Sequence, residues 1–212
     1  MKAKGQFITF EGPEGSGKTT HVAALAEYLK TCNYEITATR EPGGTSIGDE
    51  IRKVLMGLEN TDMRPRTEIL LFQASRAQLV EQVILPSLAN GKIVLSDRYA
   101  DSTLAYQGYG YQQFTIRELK PLIAFATSGL VPDLTLLLDV DIHTGLEWRK
   151  SQGGWTRMDA YDYNFHERVR QGFLEMAAAD PDRWVIIDAN QSWDTVQDKI
   201  RQVVISRQEV HR

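Results

Sequence analysis

Gly12-Pro13-Glu14-Gly15-Ser16-Gly17-Lys18-Thr19 fits the pattern G-x-x-x-x-G-K-[ST] in full. Glycines let backbone N–H groups turn inward around phosphate oxygens, where a side chain would block the approach. A helix starting near Lys18 adds the positive end of its dipole. Lys18 is the residue type that neutralises β- and γ-phosphates, and the Thr19 hydroxyl is a ligand for Mg²⁺. Thr20 extends the same segment. These residues read as a nucleoside triphosphate site. They leave the acceptor open, because a GTPase switch, a motor, a kinase and a nucleotide sensor all use such a loop.

A carboxylate is needed beside such a loop to orient the metal. Ile93-Val94-Leu95-Ser96-Asp97 is an apolar strand ending in one. Leu136-Leu137-Leu138-Asp139 and Ile186-Ile187-Asp188 have the same form, but only Asp97 is followed by an arginine, Arg98. A carboxylate and a guanidinium at one strand tip suit a place where metal and phosphate meet.

These groups require a scaffold that presents loops at strand ends. Short strand-like runs fall at 7–10, 34–39, 93–95, 134–138 and 184–187. Between them lie helical patterns. One runs from 18 to about 31 with Val22, Leu25, Ala26 and Leu29 in phase, and one is marked by Ile47, Ile51, Val54 and Leu55. A long amphipathic stretch covers 67–88 with Pro86 near its end, and Leu119, Leu122, Ile123 and Ala126 mark another, closed by Gly129 and Pro132. Two more cover 161–179 and 195–204. Strands alternating with helices predict a three-layer α/β/α domain around a five-stranded parallel sheet, of the P-loop NTPase type, spanning 1–212 as one unit. The loops at 57–66 and 151–154 are lid candidates.

The whole-chain composition narrows the partners. A chain of 212 residues with 42% hydrophobic and 25% charged residues can bury a sizeable core. A net charge of −4 gives no basic field for nucleic acid or an anionic membrane. The N-terminus leads into a short apolar run without a signal-peptide core, and no stretch approaches about 18 apolar residues. One cysteine, Cys32, cannot form an intrachain disulfide and suits a reducing compartment. The expectation is a cytoplasmic protein.

Three further segments carry a resemblance. They are Arg40-Glu41-Pro42-Gly43-Gly44-Thr45, Phe72-Gln73-Ala74-Ser75-Arg76, and Asp97-Arg98-Tyr99 followed by Ser102-Thr103-Leu104-Ala105-Tyr106-Gln107-Gly108. With the phosphate loop, in this order and spacing, they resemble the bacterial thymidylate kinase family over nearly the whole chain. The resemblance implies transfer of the γ-phosphoryl group of ATP onto dTMP, with Mg²⁺, in a homodimer. It implies that Arg40 and Arg98 grip the dTMP phosphate, as two guanidiniums can fork onto its oxygens. It implies that Phe72 stacks on thymine, Arg76 reaches a thymine carbonyl, and Thr103 and Gln107 meet base edges. Tyr106 would pack on the sugar, and Glu14 would hold the sugar hydroxyl or the metal shell. Phe72 lies in the apolar stripe 69–72, so a core position is its plain alternative.

The resemblance also implies a lid over about 148–159 that supplies positive charge, since the phosphate loop has no arginine. The lid reads Trp148-Arg149-Lys150-Ser151-Gln152-Gly153-Gly154-Trp155-Thr156-Arg157-Met158-Asp159. Arg157 keeps the family's position, and Arg149 and Lys150 are the candidates for the remaining charge. His166, alone on a charged helix, reads as a surface residue, and an anionic phosphate acceptor needs no histidine base.

Overall fold

The computed structural model describes residues 5–210. The reading of the N-terminus as free of a signal-peptide core falls partly outside them. Five strands form one parallel sheet in the order β2-β3-β1-β4-β5. They are β1 (Gln6–Glu11), β2 (Ile36–Arg40), β3 (Ile93–Asp97), β4 (Leu134–Asp139) and β5 (Trp184–Asp188). The central strand β1 is buried throughout. Its alternate residues face opposite layers, as a period of two requires. Ile8 and Phe10 pack with Leu95, Leu136 and Leu138 against α1 (Lys18–Thr31) and α9 (Trp193–Val210). Phe7 faces the other layer, packing with Val94, Leu79 and Ile84.

That second layer contains α2 (Ser46–Met56) and α3 (Pro65–Leu79), with α3 running on through a π-helical stretch at Val80–Ile84 into α4 (Leu85–Ala89). The expected single helix over 67–88 is thus three joined segments. Pro86 has no N–H to donate, and its ring would clash with a carbonyl one turn back. The wider π turn just before it accommodates the proline. Helix α6 (Ile116–Thr127) starts at a capping box of Thr115 and Glu118 and stops at Ser128 and Gly129, both with positive φ. Helix α8 (Tyr163–Ala179) starts at Asp162, whose side chain accepts from Phe165 N.

Two helical elements went unread in the sequence. One is α5 (Ala100–Thr103), continued by π-helical turns over Leu104–Gly110. The other is α7 (Ile142–Ser151), so the first four residues of the expected lid are helical and the loop proper begins at Gln152. No helix among the described residues is long and apolar enough to cross a membrane.

Candidate active site

Parallel register decides which side chains meet. Arg40 stands beside Asp97, and Asp97 beside Phe10, so the loops after β1, β2 and β3 emerge at one edge of the sheet. They border a cleft of about 550 Å³, the place where open α/β sheets bind ligands.

The phosphate loop forms one wall. Gly15 has φ +74°, and a Cβ there would lie 1.9 Å from the Gly145 carbonyl oxygen in α7; one on Gly145 would lie 2.3 Å from the Glu14 carbonyl oxygen. Loop and helix touch backbone to backbone, which glycine on both sides permits. Lys18 Nζ donates to the Gly12 and Pro13 carbonyls at 3.0 and 2.7 Å and to Ser16 Oγ at 3.0 Å. Burial, then the nearby Arg98 charge, brings its ammonium down to about 8. Residues Glu14 to Thr20 line the cleft, whereas Gly12 and Pro13 lie behind it and hold Lys18 through their carbonyls. Thr19 Oγ1 donates to Asp97 Oδ2 at 2.5 Å, putting two oxygens side by side at the cleft floor.

Arg98 has φ +70°, uncommon for a residue with a Cβ. Its surroundings fix that conformation. Its N–H donates to Phe10 O at 2.9 Å, and its carbonyl accepts from Ser96 Oγ at 2.7 Å. The following turn is pinned by Glu11, which accepts from Tyr99 N at 2.8 Å and Ser102 Oγ at 2.6 Å. Glu11 is fully buried, and burial with the nearby Asp101 pushes its carboxyl up to about 8. The Arg98 guanidinium donates to Gly12 O at 3.1 Å and Glu14 Oε1 at 2.8 Å, and lies 4.9 Å from the Tyr106 ring centre. Tyr106 Oη donates to the same Glu14 oxygen at 2.7 Å. Burial alone would raise the Glu14 carboxyl; the Arg98 and Lys18 charges outweigh it and hold it down to about 2. Arg98 in turn is pushed above its usual range by Glu14, against the opposing effect of burial.

The opposite wall comes from α3 and the π-helical turns, a geometry frequent at functional sites. Phe72, Thr103, Tyr106 and Gln107 all line the cleft. Arg76 lines it too, yet it is 1% exposed and its donors are taken by protein. Nε and Nη2 reach Glu41 Oε2 at 2.8 and 2.6 Å, Nη1 reaches Gln73 Oε1 and Thr103 Oγ1 at 2.9 Å each, and Nη2 also reaches Tyr99 O at 2.9 Å. Arg76 therefore ties together three segments of the wall.

Arg40 lines the cleft with an exposed guanidinium, 3.3 Å from Asp49. Beside it stands Arg52, which sequence reading missed because it belongs to none of the motif segments. Arg52 donates to Pro42 O at 2.9 Å, and burial followed by the Arg40 charge pushes its guanidinium down. The only signal was its place on the helix directly after the Arg40–Thr45 segment. Arg40, Arg52 and Arg98 thus bring three guanidiniums to one cleft.

The lid arginines divide. Arg149 lines the cleft, held by Asp159 at 3.2 Å and by the Gly153 and Gly154 carbonyls at 2.7 and 2.5 Å. Lys150 lies outside the lining and sits 5.4 Å from the Trp155 ring centre. Arg157 also lies outside it. Its guanidinium donates to Leu55 O at 3.0 Å, Tyr161 Oη at 3.0 Å and the buried Glu68 carboxylate at 2.5 Å. Glu68 thus holds the Arg157 guanidinium away from the cleft lining. The surface reading of His166 is corrected: it is 2% exposed, and its Nε2 has no hydrogen-bond partner among the described residues. It shares with Val169 and Phe173 the inward face of α8.

The family model described as thymidylate kinase matches residues 10–200. A thymidylate kinase of Roseiflexus sp. is 47% identical over 210 residues, covering 93% of this chain and 92% of that protein. One of Deinococcus radiodurans is 45% identical over 205 residues, covering 97% and 98%. The crystal structure of thymidylate kinase from Ehrlichia chaffeensis superposes with a TM-score of 0.78 at 34% identity, covering 94% of this chain and 98% of that one. A cleft that sets a phosphate-binding loop against three guanidiniums thus sits in a chain that belongs to the thymidylate kinase family, the phosphotransferases that phosphorylate dTMP.

Proposed function

We propose that the phosphate loop holds ATP and that dTMP lies between Phe72 and the Arg98 turn, its phosphate facing Arg40, Arg52 and Arg98. The observation that carries this assignment is the convergence of those three guanidiniums on the cleft that Lys18 and Thr19 also line. An acceptor with a phosphate needs such a clamp, and a neutral nucleoside does not. A dTMP phosphate oxygen attacks the γ-phosphorus in line as its bond to the β–γ bridging oxygen breaks, and ADP departs with that oxygen. The acceptor is already anionic, so no general base takes part. Lys18 and Arg149 neutralise charge on the transferring group, and the Arg98 network fixes the acceptor. Glu14 holds Arg98 and Tyr106 and reads the acceptor's sugar hydroxyl. Tyr106 closes on the sugar, and Phe72 stacks on the base.

The oxygens of Thr19 and Asp97 are hard donors of the kind Mg²⁺ takes with few protein ligands. Thr19 and Asp97 would hold Mg²⁺, which supplies charge neutralisation at the β- and γ-phosphates when bound. Exposed Leu70 on α3 and Leu122 and Phe125 on the adjoining α6 support a homodimer through that layer. The free thiol of Cys32 suits a cytoplasmic location.

ADP release from ATP and Mg²⁺, measured with dTMP, dUMP, dCMP, dGMP, AMP and thymidine in parallel, tests the assignment. Preference for dTMP is expected, and Lys18→Ala abolishes turnover while far-UV circular dichroism stays unchanged. Faster turnover of thymidine than dTMP, or a fully active Lys18→Ala, would overturn it.

A further inference from the structure

Glu68 belongs to none of the motif segments, yet it is among the most densely bonded side chains in the molecule. It lies in the first turn of α3 and is 1% exposed. Gln107 Nε2 donates to its Oε1 at 2.8 Å, Tyr111 Oη lies 2.9 Å from both of its oxygens, and Arg157 Nη2 donates to Oε2 at 2.5 Å. Tyr111 and Tyr161 share a hydrogen bond, and Tyr161 Oη accepts from Arg157 at 3.0 Å. Helix α3, the π-helical turns with the Tyr111 that follows them, and the lid segment all meet at this one carboxylate.

The consequence lies on the cleft side of Gln107. A primary amide carries donors on nitrogen and acceptors on oxygen, and rotation by half a turn exchanges them. A carboxylate paired with a guanidinium only accepts, so Gln107 must turn its NH₂ group to Glu68. That leaves the Gln107 carbonyl oxygen for the cleft that Gln107 lines. Thymine and uracil carry a proton on N3, whereas cytosine carries a lone pair there. A carbonyl oxygen pairs with the first and repels the second.

We infer that Glu68 is a positioning residue for base selectivity, fixing the Gln107 amide so that its oxygen meets an N3–H pyrimidine. The inference rests on dTMP occupying this cleft. Arg157 has a matching role. It occupies the remaining face of Glu68 and links selectivity to the lid segment without touching the transferring phosphate.

The test is Glu68→Gln, with kcat/KM measured for dTMP and dCMP. The new amide must turn its oxygen to Arg157, which only donates, and so presents NH₂ towards Gln107. Gln107 then rotates, and its NH₂ faces the cleft. The ratio of kcat/KM for dTMP over dCMP is expected to fall by on the order of tenfold or more, the worth of one reversed hydrogen bond. A loss shared equally by both acceptors, leaving the ratio within about twofold of the parent, would overturn the inference and mark Glu68 as purely structural. If the single variant does not fold, Glu68→Leu with Arg157→Met removes the buried pair together and leaves the Gln107 amide without its acceptor, free to rotate, and the same ratio is expected to fall. A parent enzyme that already uses dCMP as well as dTMP would instead overturn the assignment of the cleft, an outcome visible before any variant is made.

Discussion

Glu11 offers the sharpest energetic test of the site. It is the last residue of β1, fully buried, and it holds the turn that carries Arg98 through Tyr99 N and Ser102 Oγ. Burial first, then Asp101, raises its carboxyl from 4.5 to about 8, against the opposing pull of Arg98. An unfolded chain releases this proton near 4.5, whereas the folded chain keeps it to about 8. Between those values unfolding expels a proton, so each rise in pH favours the unfolded state. Roughly 3.5 pH units separate the two values, each worth about 1.4 kcal/mol, so ionising Glu11 removes up to about 5 kcal/mol of stability above pH 8. Glu11→Gln removes this term while keeping both contacts. Its carbonyl accepts from Tyr99 N, and its NH₂ donates to the Ser102 oxygen. The variant and the parent should be closest in stability near pH 5, and the variant should gain steadily up to about pH 8 and level off above it. Urea unfolding at pH 5, 6, 7, 8 and 9 reads the difference. Parallel stability curves across that range would refute the reasoning and show that Glu11 is ionised in the fold at neutral pH.

Two further substitutions address neighbouring contacts. Gly145→Ala puts a Cβ 2.3 Å from the Glu14 carbonyl oxygen, so the phosphate loop must shift; the KM for ATP should rise on the order of tenfold with a stability loss of about 1–3 kcal/mol. A parent-like KM would show that the loop yields without consequence. Arg157→Met leaves the buried Glu68 carboxylate without its guanidinium, which should cost about 3–5 kcal/mol in urea unfolding. A loss below about 1 kcal/mol would show that the remaining donors, Gln107 and Tyr111, suffice for that charge.

What the sequence made legible follows from how locally each feature is determined. The strand runs and the α1 pattern were visible because apolar periodicity reports burial directly; three of the five strands lie within one residue of their expected places, and β3 runs two residues further, to Asp97. β2 runs two residues later than expected at its start, because Tyr34 N still bonds to Leu29 O in the turn leaving α1. Helix α7 went unread, since Ile142, Leu146 and Trp148 are its only large apolar residues and Gly145 faces the phosphate loop. The helical and π-helical stretch from Ala100 to Gly110 carries no 3.6-residue apolar period; it is shaped by Glu11 and Glu14 of the first strand and loop and by α8.

The residues of the cleft obey the same distinction at finer scale. Motif order locates Arg76, Arg98, Arg149 and Arg157 along the chain, because the strands that carry or flank them have a fixed register. Which way each guanidinium points is decided by carboxylates from elsewhere: Glu41 for Arg76, Glu14 for Arg98, Asp159 for Arg149 and Glu68 for Arg157. The Glu68–Arg157 partners are separated by 89 positions in the chain, so their pairing left no local signal. A buried guanidinium must be paired and fully hydrogen-bonded. The acidic partner, not the arginine's place in a motif, therefore determines whether its charge faces substrate or holds the wall. In this structure Arg40, Arg52, Arg98 and Arg149 face the cleft, whereas the donors of Arg76 and Arg157 are turned to the protein.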